Sequence, residues 1–208
     1  MPEIFNSQVD FMSLLHDVMR KGWAFEPDCL TLSFCRELAA ISQSLQFERF
    51  SKHTQTIDVE TESRIFICAE EAMPRPIGLL HEKLTQRVRS VRSPKLLHFR
   101  PWLPNEVTVQ RFTEPVDQVS RHQDFGHDRV LVAIFTISGS GPFSLYHSRS
   151  DELPYEVCET ATGSMALLWA PGLEENGLVD SRPVHSADPA YILPRTTIAF
   201  RMTVGKPC

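Results

Sequence analysis

His122-Gln123-Asp124 is the only His-x-Asp triplet in the chain. On extended backbone, residues i and i+2 project to the same side, so this imidazole and this carboxylate can share one ion. A third ligand is needed to close such a site. His185, in Arg182-Pro183-Val184-His185, stands just ahead of a later strand-like run, where a sheet can bring it beside the first pair. Two imidazoles and one carboxylate take one face of an octahedron and leave three positions open, an arrangement suited to Fe(II) that must admit other molecules. His127 is a rival ligand, but its odd offset from His122 turns it to the opposite side of an extended segment and leaves it a pocket-rim or structural role.

Ten residues after His185 the chain reads Arg195-Thr196-Thr197-Ile198-Ala199-Phe200-Arg201. If this is a strand, positions 195, 197, 199 and 201 share one face. Two guanidiniums with a hydroxyl between them suit a dicarboxylate, because the planar fork of Arg engages carboxylates at two points. Trp169, Phe125 and Arg129 are candidate substrate contacts: the aromatics as pocket walls or as core packing, Arg129 as an anion partner or an exposed turn charge.

Taken in order, these segments resemble the Fe(II)- and 2-oxoglutarate-dependent dioxygenases, most nearly their AlkB-like branch. That branch has an Asn-Arg-Tyr strand, a His-Gln-Asp pair, and a Gly-Asp leading into an apolar strand that ends in Trp. It closes with a distal His and an Arg-x-Asn-x-Thr-x-Arg strand. The matching segments here are Gln110-Arg111-Phe112, His122-Gln123-Asp124, Gly163-Ser164 through Trp169, His185, and Arg195 to Arg201. The resemblance implies iron on His122, Asp124 and His185, with 2-oxoglutarate and O2 as cosubstrates. It implies that Arg195 pairs with the distal carboxylate of 2-oxoglutarate and that Arg201 lies near its metal-bound end or the ligand carboxylate. Gln110 matches an Asn that hydrogen-bonds the cosubstrate, and Thr197 lies on the same strand face as Arg195. Phe112 stands where the pattern has a Tyr whose hydroxyl helps bind 2-oxoglutarate. The N-terminal half shows no recognisable base-gripping lid.

The elements that must position these residues divide near Trp102-Leu103-Pro104-Asn105. Before it, Phe34, Leu38, Ile41 and Leu45 recur at helical spacing, as do Ile77, Leu80, Leu84, Val88 and Val91. A shorter helix is expected over Val9 to Arg20, ending at Gly22, followed by a brief strand at Trp23-Ala24-Phe25. After Pro104 come short runs with β character: Val107 to Phe112, Val130 to Ile137, Phe143 to Tyr146, Tyr155 to Cys158, Met165 to Trp169 and Thr196 to Val204. The turns between them, such as Ser138-Gly139-Ser140-Gly141-Pro142 and Ala170-Pro171-Gly172, are too short for crossover helices, so pairing is antiparallel. The expected fold is α+β and mainly β. A single domain of residues 1–208 holds a double-stranded β-helix (jelly roll) core at 105–204, buttressed by a helical region at 1–104.

Composition bounds the function. The 208 residues carry 42% hydrophobic and 23% charged side chains, enough to fill a core and too apolar for a disordered chain. No apolar run is long enough to span a bilayer, so no membrane is expected. Cys29, Cys35, Cys68, Cys158 and Cys208 are scattered without a CxxC pair, which fits neither a disulfide framework nor a zinc knuckle and suits a reducing cytoplasm. The net charge of −5 gives no general attraction to nucleic acid. Against that average, Lys83, Arg87, Arg89, Arg92, Lys95 and Arg100 form a basic strip, either a solvated helix face or a phosphate contact. The reading is an oxygenase that hydroxylates a C–H bond of an unresolved substrate, with a small metabolite slightly favoured. The alternatives are an oxidative demethylase of alkylated nucleic acid bases and a non-catalytic jelly-roll binding module.

Overall fold

The computed structural model describes residues 3–53, 58–67, 73–171 and 182–204. Cys68, Cys208 and Gly172 lie outside these. Helix α1 (Phe11–Lys21) opens where the Asp10 carboxylate accepts hydrogen bonds from the Met12 and Ser13 amides. It closes at Gly22, whose left-handed φ of 84° lets the chain turn directly into β1 (Trp23–Glu26). Helix α2 (Leu32–Gln43) is capped by Thr31, and α3 (Arg75–Arg89) follows Pro74 and has Pro76 in its first turn. The buried stripes are Leu14, Leu15 and Val18 on α1, Phe34, Cys35 and Leu38 on α2, and Ile77, Leu80, Leu84 and Val88 on α3. These stripes meet the sheet in one continuous apolar core.

The strands are β2 (Glu48–His53), β3 (Asp58–Ile67), β4 (Glu106–Phe112), β5 (Gln118–His122), β6 (Asp128–Tyr146), β7 (Glu156–Ala161), β8 (Met165–Trp169), β9 (Val184–Ala187) and β10 (Ile192–Thr203). All pairings are antiparallel, and the order β6, β10, β4, β3, β5, β9 returns to β6, so the sheet closes into a ring. Two long strands make the closure. β6 pairs β8 and β10 along its first part, then β7 and β9 from Ser140 to Tyr146. β3 pairs β4 at one end and β5 at the other.

Alternation sorts the side chains between the two faces. Leu131, Ala133, Phe135 and Ile137 of β6, with Ile198 and Phe200 of β10 and Val107 and Val109 of β4, face the helices. Val132, Phe143 and Leu145 of β6, with Ala166 and Leu168 of β8, face the ring interior. Trp102, fully buried, ties the helical side to the sheet by donating from Nε1 to the Leu131 carbonyl at 2.7 Å.

Two features depart from the sequence reading, and a third decides between its two alternatives for Trp169. The hairpin β2–β3 adds strands to the sheet from within the segment expected to be helical, and β3 is essential to the ring. Ser138 to Pro142 is a bend inside one continuous strand, with Gly139 at φ 73° where β6 passes from its β8 and β10 partners to β7 and β9. Trp169 shares its face with Met165 and Leu167 and is buried in the helix-facing core, so it is a packing residue and not a pocket wall.

Candidate metal centre

His122 ends β5 and His185 lies on β9, directly opposite it across the strand pair. Asp124 follows β5 by two residues. One ligand atom from each of the three lies within 4.8 Å of the others, with His185 Nε2 at 3.8 Å from Asp124 Oδ2 and the two imidazole centroids 4.3 Å apart. Each imidazole is oriented by a main-chain carbonyl two residues before it: His122 Nδ1 donates to Ser120 at 2.8 Å and His185 Nδ1 to Pro183 at 3.0 Å. A carbonyl only accepts, so Nδ1 carries a proton on both rings and Nε2 is the nitrogen turned toward the shared centre. Phe143 stacks on His185 at 5.2 Å and fixes the ring plane. Arg182 Nη1 donates to the Asp124 carbonyl at 2.7 Å, and Gln123 Nε2 returns a bond to the Arg182 carbonyl at 2.9 Å, holding the turn after β5.

The electrostatics favour metal-binding protonation states. Burial and the adjacent His185 push the His122 imidazole down to about 4, so it is neutral at physiological pH. Burial pushes the Asp124 carboxyl up, but His185, Arg201 and His122 outweigh it and hold the group below the usual carboxylate range. Asp124 Oδ2 is nevertheless buried and accepts no hydrogen bond from the described residues. An anionic oxygen left bare in a dry site is an unmet cost, which a cation at the two free Nε2 atoms would relieve. The donor set therefore fits Fe(II).

Arg201 lies beside this carboxylate, with Nη2 3.5 Å from Asp124 Oδ1 and Nη1 donating to Thr108 Oγ1 at 3.2 Å. On the same face of β10, Arg195 is 2% exposed, and its guanidinium sits 5.2 Å from the Phe112 ring. Burial lowers its ionisation to about 10, with Asp188 opposing the shift, so it is cationic at neutral pH. Its Nη1 reaches the Pro142 and Asp188 carbonyls only at 3.4 Å, and Nε has no hydrogen-bond partner among the described residues. Thr197 is paired across the sheet with Gln110 on β4 and Thr136 on β6, placing three polar residues on the interior face between Arg195 and Arg201. A buried, under-partnered cation inside the same ring as the triad has the chemistry to pair with an anionic group.

The ring thus gathers His122, Asp124, His185, Arg195, Thr197, Arg201 and Gln110. Phe125 is 49% exposed and stacks on His127 at 5.1 Å, beside the metal pair in sequence. Arg129 Nη1 donates to the Gly126 and Asp128 carbonyls at 2.6 and 2.8 Å, which holds the side chain on the turn that leads into β6. Phe143 and Thr108 escaped the sequence reading, although the period-2 alternation of their strands was the available signal.

No family model matches the sequence, and no curated protein matches it. Solved structures do. A prolyl-4-hydroxylase from Pseudomonas putida is 12% identical, with a TM-score of 0.66 over 92% of this chain and 98% of that one. OsALKBH1 is 10% identical, with a TM-score of 0.62 over 88% and 99% of the two chains. An oxidoreductase of the 2OG-Fe(II) oxygenase family from Burkholderia pseudomallei is 11% identical, with a TM-score of 0.61 over 98% and 96%. The chain therefore has the double-stranded β-helix fold of the 2-oxoglutarate- and Fe(II)-dependent oxygenases.

Proposed function

We propose that this protein is an Fe(II)- and 2-oxoglutarate-dependent oxygenase that hydroxylates a C–H bond. The observation that carries the reading is the convergence of His122, Asp124 and His185, with a bare buried Asp124 oxygen, in the ring that also buries Arg195. His122, Asp124 and His185 are the residues that would hold the iron, and Arg195 the one that would take the distal carboxylate of 2-oxoglutarate. Bound there, iron and the keto acid would supply the oxidising power for attack on an unactivated C–H bond. The chain does the rest. The Ser120 and Pro183 carbonyls hold the imidazole tautomers, Arg201 steadies the charge of Asp124, and Gln110, Thr136 and Thr197 offer hydrogen bonds along the cosubstrate's path. The closed ring keeps bulk water from these groups, which strengthens each charge interaction.

For the substrate we favour a small metabolite over a nucleic acid. The basic strip is carried by α3 and the 3₁₀ turn at Pro94–Phe99, whose buried residues pack in the core on the helix side of the sheet. The candidate iron ligands face the other side. A strand of nucleic acid bound along Arg87, Arg89 and Arg92 would be separated from the metal by the sheet itself. The solved relatives include a prolyl hydroxylase in complex with a hypoxia inducible factor peptide, so peptides belong in any substrate screen.

Anaerobic addition of Fe(II) and 2-oxoglutarate should give the weak visible charge-transfer band of the chelate, and admission of O2 should release succinate. His122→Ala and Asp124→Ala should lose both signals. Absence of the band in the parent protein would leave a jelly-roll binding module. An oxidised substrate whose binding weakens steeply with salt, with a log-log slope near about −0.9 per neutralised phosphate on duplex DNA, would instead mark a nucleic acid substrate.

A further inference from the structure

Arg195 is held from behind by a device that lies outside the ring interior. Its Nη1 rests on the Pro142 and Asp188 carbonyls at 3.4 Å each, and the Asp188 amide donates to the same Pro142 carbonyl at 3.2 Å. These atoms form a small main-chain platform where β6 and the end of β9 come together. The Asp188 side chain turns to the other face. There Ser144 of β6 donates to its Oδ2 at 2.5 Å and Ser186 of β9 donates to its Oδ1 at 2.6 Å. Ser144 and Ser186 are direct cross-strand partners, each 2% exposed, and the Tyr146 hydroxyl lies 3.4 Å from Ser186 Oγ. One carboxylate therefore staples two strands through two charge-assisted bonds, and the carbonyl of the same residue is the surface on which the guanidinium sits. Space behind Arg195 is also tight: a Cβ at Gly141 would lie 3.1 Å from its Nη1 and 3.0 Å from Ala190 Cα.

We propose that Asp188 is a positioning residue for the cosubstrate: stapled by Ser144 and Ser186, it fixes the carbonyl platform that aims Arg195 at the distal carboxylate of 2-oxoglutarate. The proposal rests on the assignment of Arg195 made above. Asp188 reaches the cosubstrate only through Arg195, so its effect is confined to ligands that carry a distal carboxylate. Asp188→Asn removes the negative charge and turns one acceptor oxygen into an N–H donor, so one serine hydroxyl must reverse to accept, both charge-assisted bonds become neutral ones, and the platform slackens.

The test is calorimetric binding to protein loaded with redox-inert Mn(II), using 2-oxoglutarate and 2-oxobutyrate, a keto acid of similar chelating end without the distal carboxylate. Asp188→Asn should weaken 2-oxoglutarate by roughly tenfold, the scale of one charge-assisted hydrogen bond, while 2-oxobutyrate and Mn(II) bind as in the parent. Ser144→Ala, a gentler change that leaves the carboxylate its Ser186 partner, should give the same selectivity at smaller amplitude, and Ser186→Thr should preserve parental binding. Equal loss of 2-oxoglutarate, 2-oxobutyrate and Mn(II) would make Asp188 a general structural residue and overturn the proposal. So would unchanged 2-oxoglutarate affinity in both Asp188→Asn and Ser144→Ala, provided Arg195→Met weakens it. If Arg195→Met itself leaves 2-oxoglutarate binding intact, the assignment of Arg195 fails first.

Discussion

Replacing Arg195 by Met separates a residue kept for binding from one kept for stability. In the protein without ligands the guanidinium is 2% exposed, makes two carbonyl contacts at 3.4 Å, leaves Nε without a partner and has the Phe112 ring at 5.2 Å. The two long hydrogen bonds contribute about 0.5–1.5 kcal/mol each at most, and the ring contact about 0.5–2 kcal/mol. Against these stands the effective penalty of several kcal/mol for burying a charge that no carboxylate of the described residues directly pairs. Met fills the space of the stem without that penalty. Metal-free Arg195→Met should therefore melt at the parental temperature or above it, each kcal/mol being worth about 2–4 °C in a chain of this size. Binding of 2-oxoglutarate should behave oppositely. Losing a buried charge partner costs about 2–5 kcal/mol, which corresponds to about a 30- to 5,000-fold rise in Kd. Scanning calorimetry of the metal-free protein and titration of the Mn(II)-loaded protein with 2-oxoglutarate read the two quantities separately. A large fall in melting temperature with 2-oxoglutarate affinity unchanged would refute the reasoning and make Arg195 a structural residue.

Other consequences follow from the same geometry. Asp117 is fully buried, pairs with Arg49 at 2.5 Å, and accepts from the Thr113 and Glu114 amides at 2.6 and 2.9 Å. Burial pushes its carboxyl up, but these bonds outweigh burial and hold it below the usual carboxylate range. A depressed folded-state pKa stabilises above the unfolded value of about 3.9 and ceases to do so as pH falls through the folded value. Asp117→Asn should thus cost about 1–3 kcal/mol by urea denaturation at pH 7, and the gap from the parent should narrow as the pH is taken well below 4. A gap that stays constant with pH would remove the carboxylate from the account. Gly139→Ala should be among the most damaging single changes. Its Cβ would lie 2.5 Å from the Ile192 carbonyl oxygen and 2.6 Å from Arg195 Cα, on backbone at φ 73°. Strain and overpacking together come to about 2–4 kcal/mol, read as a lowered urea midpoint, and parental stability would show that the bend of β6 relaxes freely.

Much of this site is local in sequence. The i, i+2 spacing of His122 and Asp124 and the alternation of Arg195, Thr197 and Arg201 are properties of extended backbone, so the chain displays them before any sheet is assembled. The helices were legible for a similar reason, since the stripe Ile77, Leu80, Leu84 and Val88 has the helical period. Parity along β8 decides between the pocket-wall and packing readings of Trp169, because it shares the helix-facing side with Met165 and Leu167. The hairpin β2–β3 was missed because charged residues such as Glu48, Arg49 and Lys52 interrupt any apolar alternation. The staple at Asp188 was missed for a deeper reason. Ser186 and Asp188 show an i, i+2 pairing, but Ser144 joins them only through the register of β6 against β9, which no local pattern encodes.

The most direct measurement is a crystal structure of the protein with Mn(II) and 2-oxoglutarate, grown without O2. The account predicts one metal ion bound by His122 Nε2, His185 Nε2 and the Asp124 carboxylate, with the keto acid on its open side and the distal carboxylate against Arg195. Metal bound elsewhere, or a keto acid whose distal carboxylate turns away from Arg195, would contradict it.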